Sequence, residues 1–152
     1  MIYKNADING VLTEIEVEDG KITYIGKLSA DGFDLCQNRV FPGLCDTHSH
    51  GMIGYDTMDG DGLIKMSQYL AKNGVTSWLP TTMTMDMDII KAVVNNNMPK
   101  TGGAQILGFH MEGPYISPKH KGAQNEKFIK CPDTDEFNSL KHIKKITIAP
   151  EL

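Results

Sequence analysis

Two histidines stand two residues apart in the segment PGLCDTHSHG, which spans residues 42–51. Side chains at positions i and i+2 of a β-strand point to the same face, so the imidazoles of His48 and His50 would lie side by side in an extended segment. Neutral imidazole is a common ligand of zinc and related ions. The spacing therefore indicates a metal site, and the alternative is a pair of solvent-facing histidines near a turn.

A carboxylate stands at a comparable place in a second segment, LGFHMEGPYISPKHKGAQ, which spans residues 107–124. Glu112 ends an apolar run directly before Gly113 and Pro114, where a predicted strand must stop. A carboxylate at such a strand end can bind a metal, and the alternative is a solvated loop acid. His110 lies two residues earlier, and we expect it to be a packed histidine with no assigned role.

The first forty residues read as short β-strands. The segment TEIEVEDGKITYIGKL alternates apolar and polar residues around the dipeptide Asp19-Gly20, which is a strong hairpin-turn signal. We therefore predict that residues 1–40 form the N-terminal part of a small β-sandwich domain.

Strands alternate with helices from residue 41 onward, a pattern typical of a parallel sheet. The predicted strands are VFPGLCDTH, VTSWLPTT, AQILGFHMEG and ITIAPE, and the predicted helices are GDGLIKMSQYLAKNG, DMDIIKAVVNNN and PDTDEFNSLKHIKK. We predict an α/β fold in which residues 41–152 form the first half, about four βα units, of a (β/α)8 TIM-type barrel. In that fold the active site lies at the carboxyl ends of the strands, where the two histidines and the glutamate are expected.

A complete barrel of this type needs about 250 residues. The sequence has 152 residues, so only half a barrel is expected, and its open edges and uncovered apolar faces would need a partner. We expect the chain to form a homo-oligomer or to pair with a missing C-terminal half.

The composition excludes several classes of partner. The net charge is −4 with no basic stripe, which argues against nucleic acid, and no apolar run approaches the length of a membrane span or signal peptide. The three cysteines, at positions 36, 45 and 131, form no CxxC pair and no disulfide framework, so we predict a cytoplasmic location. We expect Trp78 and Cys45 to be packed in the core.

Taken together, the motifs resemble a known family. PGLCDTHSHG, followed by GFHMEGPYISPKHKGAQ and then ITIAPE, resembles the N-acetylglucosamine-6-phosphate deacetylase family of the amidohydrolase superfamily. GYDTMDG and GVTSWLPTTMT agree with it, and EGPYISPKHKGAQ is the most specific segment. The resemblance covers nearly the whole chain and is weakest before Phe41.

The resemblance implies a metal-dependent hydrolase of a small-molecule amino-sugar phosphate. Its implied reaction is hydrolysis of the acetamide of N-acetylglucosamine 6-phosphate, by a metal-activated water, to glucosamine 6-phosphate and acetate in amino-sugar catabolism. It implies His48, His50 and Glu112 as ligands of a divalent metal, and Ala123 as a backbone contact to substrate. Zinc is the expected metal, as one or two ions, with iron, manganese or cobalt as alternatives.

The same resemblance implies that part of the active site lies outside these residues. Two further histidine ligands, the catalytic aspartate and most phosphate contacts are expected beyond residue 152, so we predict that the chain alone is inactive. Two alternatives stay open: another metal-dependent amidohydrolase, of the dihydroorotase or isoaspartyl-dipeptidase kind, and a non-catalytic metal-binding or interaction fragment. EGPYISPKHKGAQ argues against the first, and the second would hold metal without hydrolysis.

Overall fold

A computed structural model describes residues 1–59, 62–96 and 98–152, which divide into two compact units, residues 1–42 and 43–152. No helix among the described residues is long and apolar enough to cross a membrane. The elements, in chain order, are β1 Ile2–Ile8, β2 Val11–Glu18, β3 Lys21–Gly26, β4 Phe33–Asp34, β5 Leu44–Ser49, β6 Gly51–Met52, β7 Tyr55–Asp56, α1 Gly62–Lys72, β8 Val75–Pro80, α2 Met87–Val94, β9 Gln105–Ile106, β10 Phe109–Glu112, two 3-10 turns at Pro118–His120 and Glu126–Phe128, α3 Thr134–Asn138, and β11 Ile143–Thr147.

The first unit is a four-stranded sheet in the order β3-β2-β1-β4. β1 and β3 run antiparallel to β2, while the short β4 runs parallel to β1. The hairpin between β2 and β3 turns at Asp19 and Gly20, whose φ angles of 49° and 75° are those that an Asp-Gly turn supplies. The predicted hairpin is therefore confirmed, and Ala6 and Ile15 are the buried apolar residues of this sheet.

The second unit is α/β with parallel strands, as predicted. β5, β8 and β9 form one parallel sheet in the order β5-β8-β9, and β10 pairs in parallel with β11. A parallel bridge between Thr81 and His110 links the end of β8 to β10. The carboxyl ends of β5, β8 and β10 therefore come together, which is the arrangement that brings the site residues close.

The core of the second unit lies between its helices and strands. The predicted helix faces are confirmed, because the residues expected to share a face are all buried: Leu63, Met66 and Leu70 in α1, and Met87, Ile90 and Val94 in α2. Trp78 is fully buried among them, as expected, and its Nε1 donates a hydrogen bond of 2.9 Å to Ser67 Oγ. This pairing satisfies the one polar atom that the indole brings into the core.

The third predicted strand, AQILGFHMEG, is divided in two. β9 pairs with β8, whereas β10 pairs with β11, and Gly108 between them has a φ of +146°. A Cβ at Gly108 would lie 2.6 Å from the carbonyl oxygen of His142 and 2.4 Å from a side-chain carbon of Lys144. The chain changes strand partners at a point where only glycine allows the two backbones to approach.

The third predicted helix, PDTDEFNSLKHIKK, is much shorter than expected. α3 ends at Asn138, and the side chain of Asn95 then binds the following segment: its Nδ2 donates to Ser139 O at 3.2 Å and its Oδ1 accepts from Lys141 N at 2.6 Å. His142, which was expected inside the helix, has a φ of 60° and directly precedes β11. The helix prediction is wrong there because these tertiary hydrogen bonds replace the helical ones.

Cys45 was expected to be packed, and this prediction is also wrong. Its side chain is exposed, like those of the other two cysteines, and all three are free thiols. β5 pairs with β8 on one side and has no second strand partner among the described residues. Leu44, next to Cys45, is 63% exposed, so this edge strand carries apolar side chains that the described part of the chain leaves uncovered.

A hydrogen-bonded cluster ties the segment after β10 to α3. Buried Tyr115 donates from its hydroxyl to Glu136 Oε2 at 2.6 Å, and Lys130 Nζ donates to Glu136 Oε1 at 2.6 Å. Burial of the carboxyl raises the pKa of Glu136, but the hydrogen bonds from Lys130 and Tyr115 outweigh it, so this pKa lies below its ordinary value. Burial and the neighbouring carboxylate both raise the pKa of Tyr115.

Stability is expected to depend on pH through this cluster. A carboxylate whose pKa is lowered by folding stabilises the native state above its unfolded pKa, near 4.5, and that contribution is lost as pH falls through the folded pKa. We expect Glu136→Gln to lower the free energy of unfolding by about 1–3 kcal/mol at pH 7. The difference from wild type should shrink between pH 5 and pH 3, which urea unfolding at each pH would measure.

Glu126→Gln, at an exposed glutamate, is the control for this experiment. Parallel pH profiles for wild type and Glu136→Gln would contradict a pH-dependent contribution of the Glu136 carboxylate to stability.

Candidate metal centre

His48 lies in β5 and His50 directly follows that strand, where the side chains of Asp46 and of Thr81, the residue after β8, fix the backbone. Asp46 Oδ1 accepts a hydrogen bond from His48 N at 2.9 Å, and its Oδ2 accepts one from Ser49 Oγ at 2.5 Å. Ser49 N in turn donates to Thr81 Oγ1 at 3.0 Å. Sequence reasoning missed this role of Asp46, although an aspartate two residues before a backbone N–H is a recognisable turn signal.

Glu112 ends β10 and is held at both its backbone and its side chain. Its backbone N donates to Thr82 Oγ1 at 3.2 Å, and its Oε1 accepts a hydrogen bond of 2.9 Å from Nε2 of Gln124. Gln124 is itself only 4% exposed and accepts at Oε1 from Thr84 N at 2.7 Å. The Oε1 atom therefore has a hydrogen-bond donor, and Oε2 is the oxygen that remains to face the histidines.

The structure brings His48, His50 and Glu112 together. One ligand atom from each residue lies within 4.8 Å of the other two. The Nε2 atoms of His48 and His50 lie 2.5 and 3.5 Å, respectively, from Glu112 Oε2. The three side chains are 49%, 32% and 17% exposed in that order, so the group is open to solvent on the histidine side.

One buried oxygen tests whether this group suits a cation. Glu112 Oε2 is buried and accepts no hydrogen bond of ordinary geometry, although the Nε2 atoms of both histidines face it. Two imidazole nitrogens and a carboxylate oxygen are the ligand set of many zinc sites, and three protein ligands leave a fourth position open. Ligands of a tetrahedral zinc ion lie about 3.4 Å apart. The His50 distance already matches that value, and the His48 distance would have to widen.

His110 is packed behind this group, as predicted. It is fully buried, its Nδ1 lies 3.2 Å from Thr81 Oγ1, and its Nε2 lies 2.8 Å from Thr147 Oγ1. Burial, followed by the charge of Lys145, lowers the pKa of His110 to about 4. Its ring is therefore neutral near pH 7 and meets the His48 ring edge-on at a centroid distance of 4.6 Å.

A pocket of 260 Å³ adjoins the carboxylate side of the group, with Glu112, Ser117, Lys121 and Thr147 among its walls. Ala123, the residue expected to contact substrate through its backbone, is exposed in the turn directly before Gln124. The turn therefore places Ala123 beside a residue that touches the site.

Known deacetylases resemble the chain in sequence. No protein-family model matches the chain. The chain is 37% identical over 153 residues to N-acetylglucosamine-6-phosphate deacetylase of Lysinibacillus sphaericus, a match covering 91% of the chain and 40% of that protein. The enzyme of that name from Bacillus subtilis is 35% identical, with 94% of the chain and 39% of that protein covered. An N-acetylgalactosamine-6-phosphate deacetylase of Escherichia coli O157:H7 is 32% identical, with 91% and 40% covered.

Solved structures of deacetylases resemble the chain in fold. The crystal structure of N-acetylglucosamine-6-phosphate deacetylase from Thermotoga maritima matches all of the chain and 43% of its own, with a TM-score of 0.83 and 32% identity. A Mycobacterium smegmatis deacetylase, solved in complex with N-acetyl-D-glucosamine-6-phosphate, matches 99% of the chain and 44% of its own with a TM-score of 0.79. At 22% identity it indicates the shared fold alone.

The fold and the site define an α/β protein with a His-His-Glu group that could hold a metal ion. Within that class, the chain is homologous to the N-acetylglucosamine-6-phosphate deacetylases and spans about two-fifths of the length of the curated relatives given above.

Proposed function

We propose that the protein to which these residues belong hydrolyses the acetamide of N-acetylglucosamine 6-phosphate, giving glucosamine 6-phosphate and acetate in amino-sugar catabolism. The observation that carries the proposal is the convergence of His48, His50 and Glu112 at one set of strand ends, in a chain 37% identical to a deacetylase of that specificity. Barrel enzymes carry their chemistry at that position.

In this proposal His48, His50 and Glu112 hold a divalent ion, with zinc expected and iron, manganese or cobalt as alternatives. When bound, such an ion supplies a water molecule of lowered pKa and polarises the acetyl carbonyl. The chain's own contribution is to hold the ligands in place and to receive the substrate. Ala123 contacts the sugar through its backbone. Lys121 offers one positive charge to an anionic group, in a pocket whose walls also include Glu112 and Glu151.

The proposed architecture goes further than the parallel strands themselves. Residues 1–40 contribute to a small β-sandwich domain, and residues 41–152 form about four βα units of a (β/α)8 barrel in a cytoplasmic enzyme. β5 and β11 each have a single strand partner among the described residues, which supports pairing with a C-terminal half or with a second copy. One or two metal ions would then sit at the completed barrel mouth.

A second substrate has a specific observation in its favour, since the chain is also 32% identical to an N-acetylgalactosamine-6-phosphate deacetylase. The two sugar phosphates differ in the configuration of one hydroxyl, and both carry the same acetamide. The higher identity to the glucosamine-specific relatives favours the first substrate. Comparing kcat/KM for the two sugars would decide between them.

Acetate release tests the proposal. The full polypeptide encoded by the gene, loaded with Zn²⁺, is expected to release acetate from N-acetylglucosamine 6-phosphate, while the isolated chain of residues 1–152 releases none. Unphosphorylated N-acetylglucosamine is the substrate control. No release by the full polypeptide would contradict the proposed reaction, and turnover by residues 1–152 alone would contradict the placement of catalytic groups beyond them. Metal binding without hydrolysis by the full polypeptide would favour a non-catalytic role.

A further inference from the structure

The residue that pairs with Glu112 is not one of the expected metal ligands. Gln124 lies twelve positions further along the chain, at the end of the loop that follows β10, and donates from Nε2 to Glu112 Oε1. We propose that Gln124 is a positioning residue, which selects the Glu112 oxygen that remains available to the metal. This inference rests on the proposed metal centre and concerns a residue outside its ligand set.

The orientation of the Gln124 amide is fixed by its second contact. Its Oε1 accepts a hydrogen bond of 2.7 Å from the backbone N–H of Thr84, and a backbone N–H can only donate. The amide oxygen must therefore face Thr84, so the amide nitrogen must face Glu112. As a result, Gln124 can only donate to the carboxylate, and it does so at Oε1.

That single donation determines the role of the other oxygen. With Oε1 engaged, Oε2 is the oxygen that lies within 2.5 and 3.5 Å of the two histidine nitrogens and that accepts no hydrogen bond. The Glu112 backbone is fixed independently, by donation from its N–H to Thr82 Oγ1. Glu112 is thus held at its backbone and at Oε1, and its buried Oε2 is left to face the two histidine nitrogens.

The surroundings of Gln124 keep this arrangement rigid. Its side chain is 4% exposed, and its backbone N donates to Lys121 O at 3.1 Å, so the loop end cannot easily turn away. A Cβ built on Gly113 would lie 1.8 Å from Thr84 Oγ1, so the start of the loop lies directly against the segment that follows β8. Orienting partners of metal ligands typically contribute about 10–100-fold to metal affinity, because they remove the freedom of the ligand to rotate.

Two substitutions separate the two hydrogen bonds of Gln124. Gln124→Glu retains an oxygen that can accept from Thr84 N, but it replaces the donor to Glu112 Oε1 by a second, repelling oxygen. Gln124→Met removes both hydrogen bonds and keeps a side chain of similar size. We expect each variant to bind Co²⁺ about 10–100-fold more weakly than the wild-type chain. The visible absorption spectrum at saturating Co²⁺ should also change, since it reports the geometry of the ligands. Gln105→Glu makes the same change at an exposed glutamine and should alter neither the Co²⁺ affinity nor the spectrum.

Circular dichroism of the metal-free chains shows whether each variant is folded, and each outcome is decisive. Wild-type affinity and an unchanged Co²⁺ spectrum in both Gln124 variants would overturn the positioning role and leave the proposed function standing. A loss of affinity that only follows a loss of folded protein, with an unchanged spectrum at saturation, would overturn it as well. A wild-type chain that binds no Co²⁺ would contradict the metal centre itself, and this inference with it.

Discussion

Replacing His48 by alanine is expected to weaken Zn²⁺ binding by more than about 100-fold. Loss of a residue that only hydrogen-bonds to a ligand costs roughly 10–100-fold in affinity, and loss of a ligand itself should cost more. His48 Nε2 is the histidine nitrogen nearest Oε2 of Glu112, and removing this side chain leaves two ligands in the group. The side chain is 49% exposed, and we therefore expect the free energy of unfolding to change little. Competition with a chromophoric chelator measures the affinity.

His142→Ala is the matched control for this experiment. His142 is an exposed histidine directly before β11 and is not one of the three residues in the group. It should retain wild-type affinity. Equal affinities for wild type and His48→Ala would show that the ion binds elsewhere, or that the histidine pair does not hold it.

The second large effect is expected at Gly113, directly after Glu112. Its φ is +73°, and a Cβ there would lie 1.8 Å from Thr84 Oγ1. Gly113→Ala combines left-handed backbone strain with overpacking, and together these should lower the free energy of unfolding by about 2–5 kcal/mol. Urea unfolding of the metal-free chain measures this loss. Because Thr84 also holds Gln124, weaker metal binding should accompany it.

Gly102→Ala separates the two contributions. Gly102 has a φ of +63°, yet no atom lies within 4 Å of a Cβ built there. It should therefore lose only the backbone part, about 1–2 kcal/mol. Equal losses at the two glycines would mean that Thr84 moves aside at no cost, which would contradict the overpacking expected at Gly113.

Much of the second unit could be predicted from periodic patterns. The spacing of Leu63, Met66 and Leu70 identified the buried face of α1, because a helix buries one side whatever its partner is. The proximity of His48, His50 and Glu112 could be predicted for a similar reason. Each is a ligand type placed where an apolar strand ends, and parallel strands end at one edge.

The failures share a physical cause, which is dependence on distant contacts. α3 ends early because the side chain of Asn95, more than forty residues away, donates a hydrogen bond to the backbone carbonyl of Ser139. The third strand divides because its two halves have different partners. Gln124 had no predicted role for the same reason, since its hydrogen bonds depend on Thr84 and Glu112 meeting it in space. No local pattern records such pairings.

Anomalous diffraction from crystals of the chain soaked in Zn²⁺ would test the metal centre most directly. We predict a peak at the zinc absorption edge about 2.0–2.2 Å from Nε2 of His48, Nε2 of His50 and an oxygen of Glu112. A map with no peak between these three residues, or with zinc bound only at other positions, would contradict the metal centre from which the proposed deacetylase activity is argued.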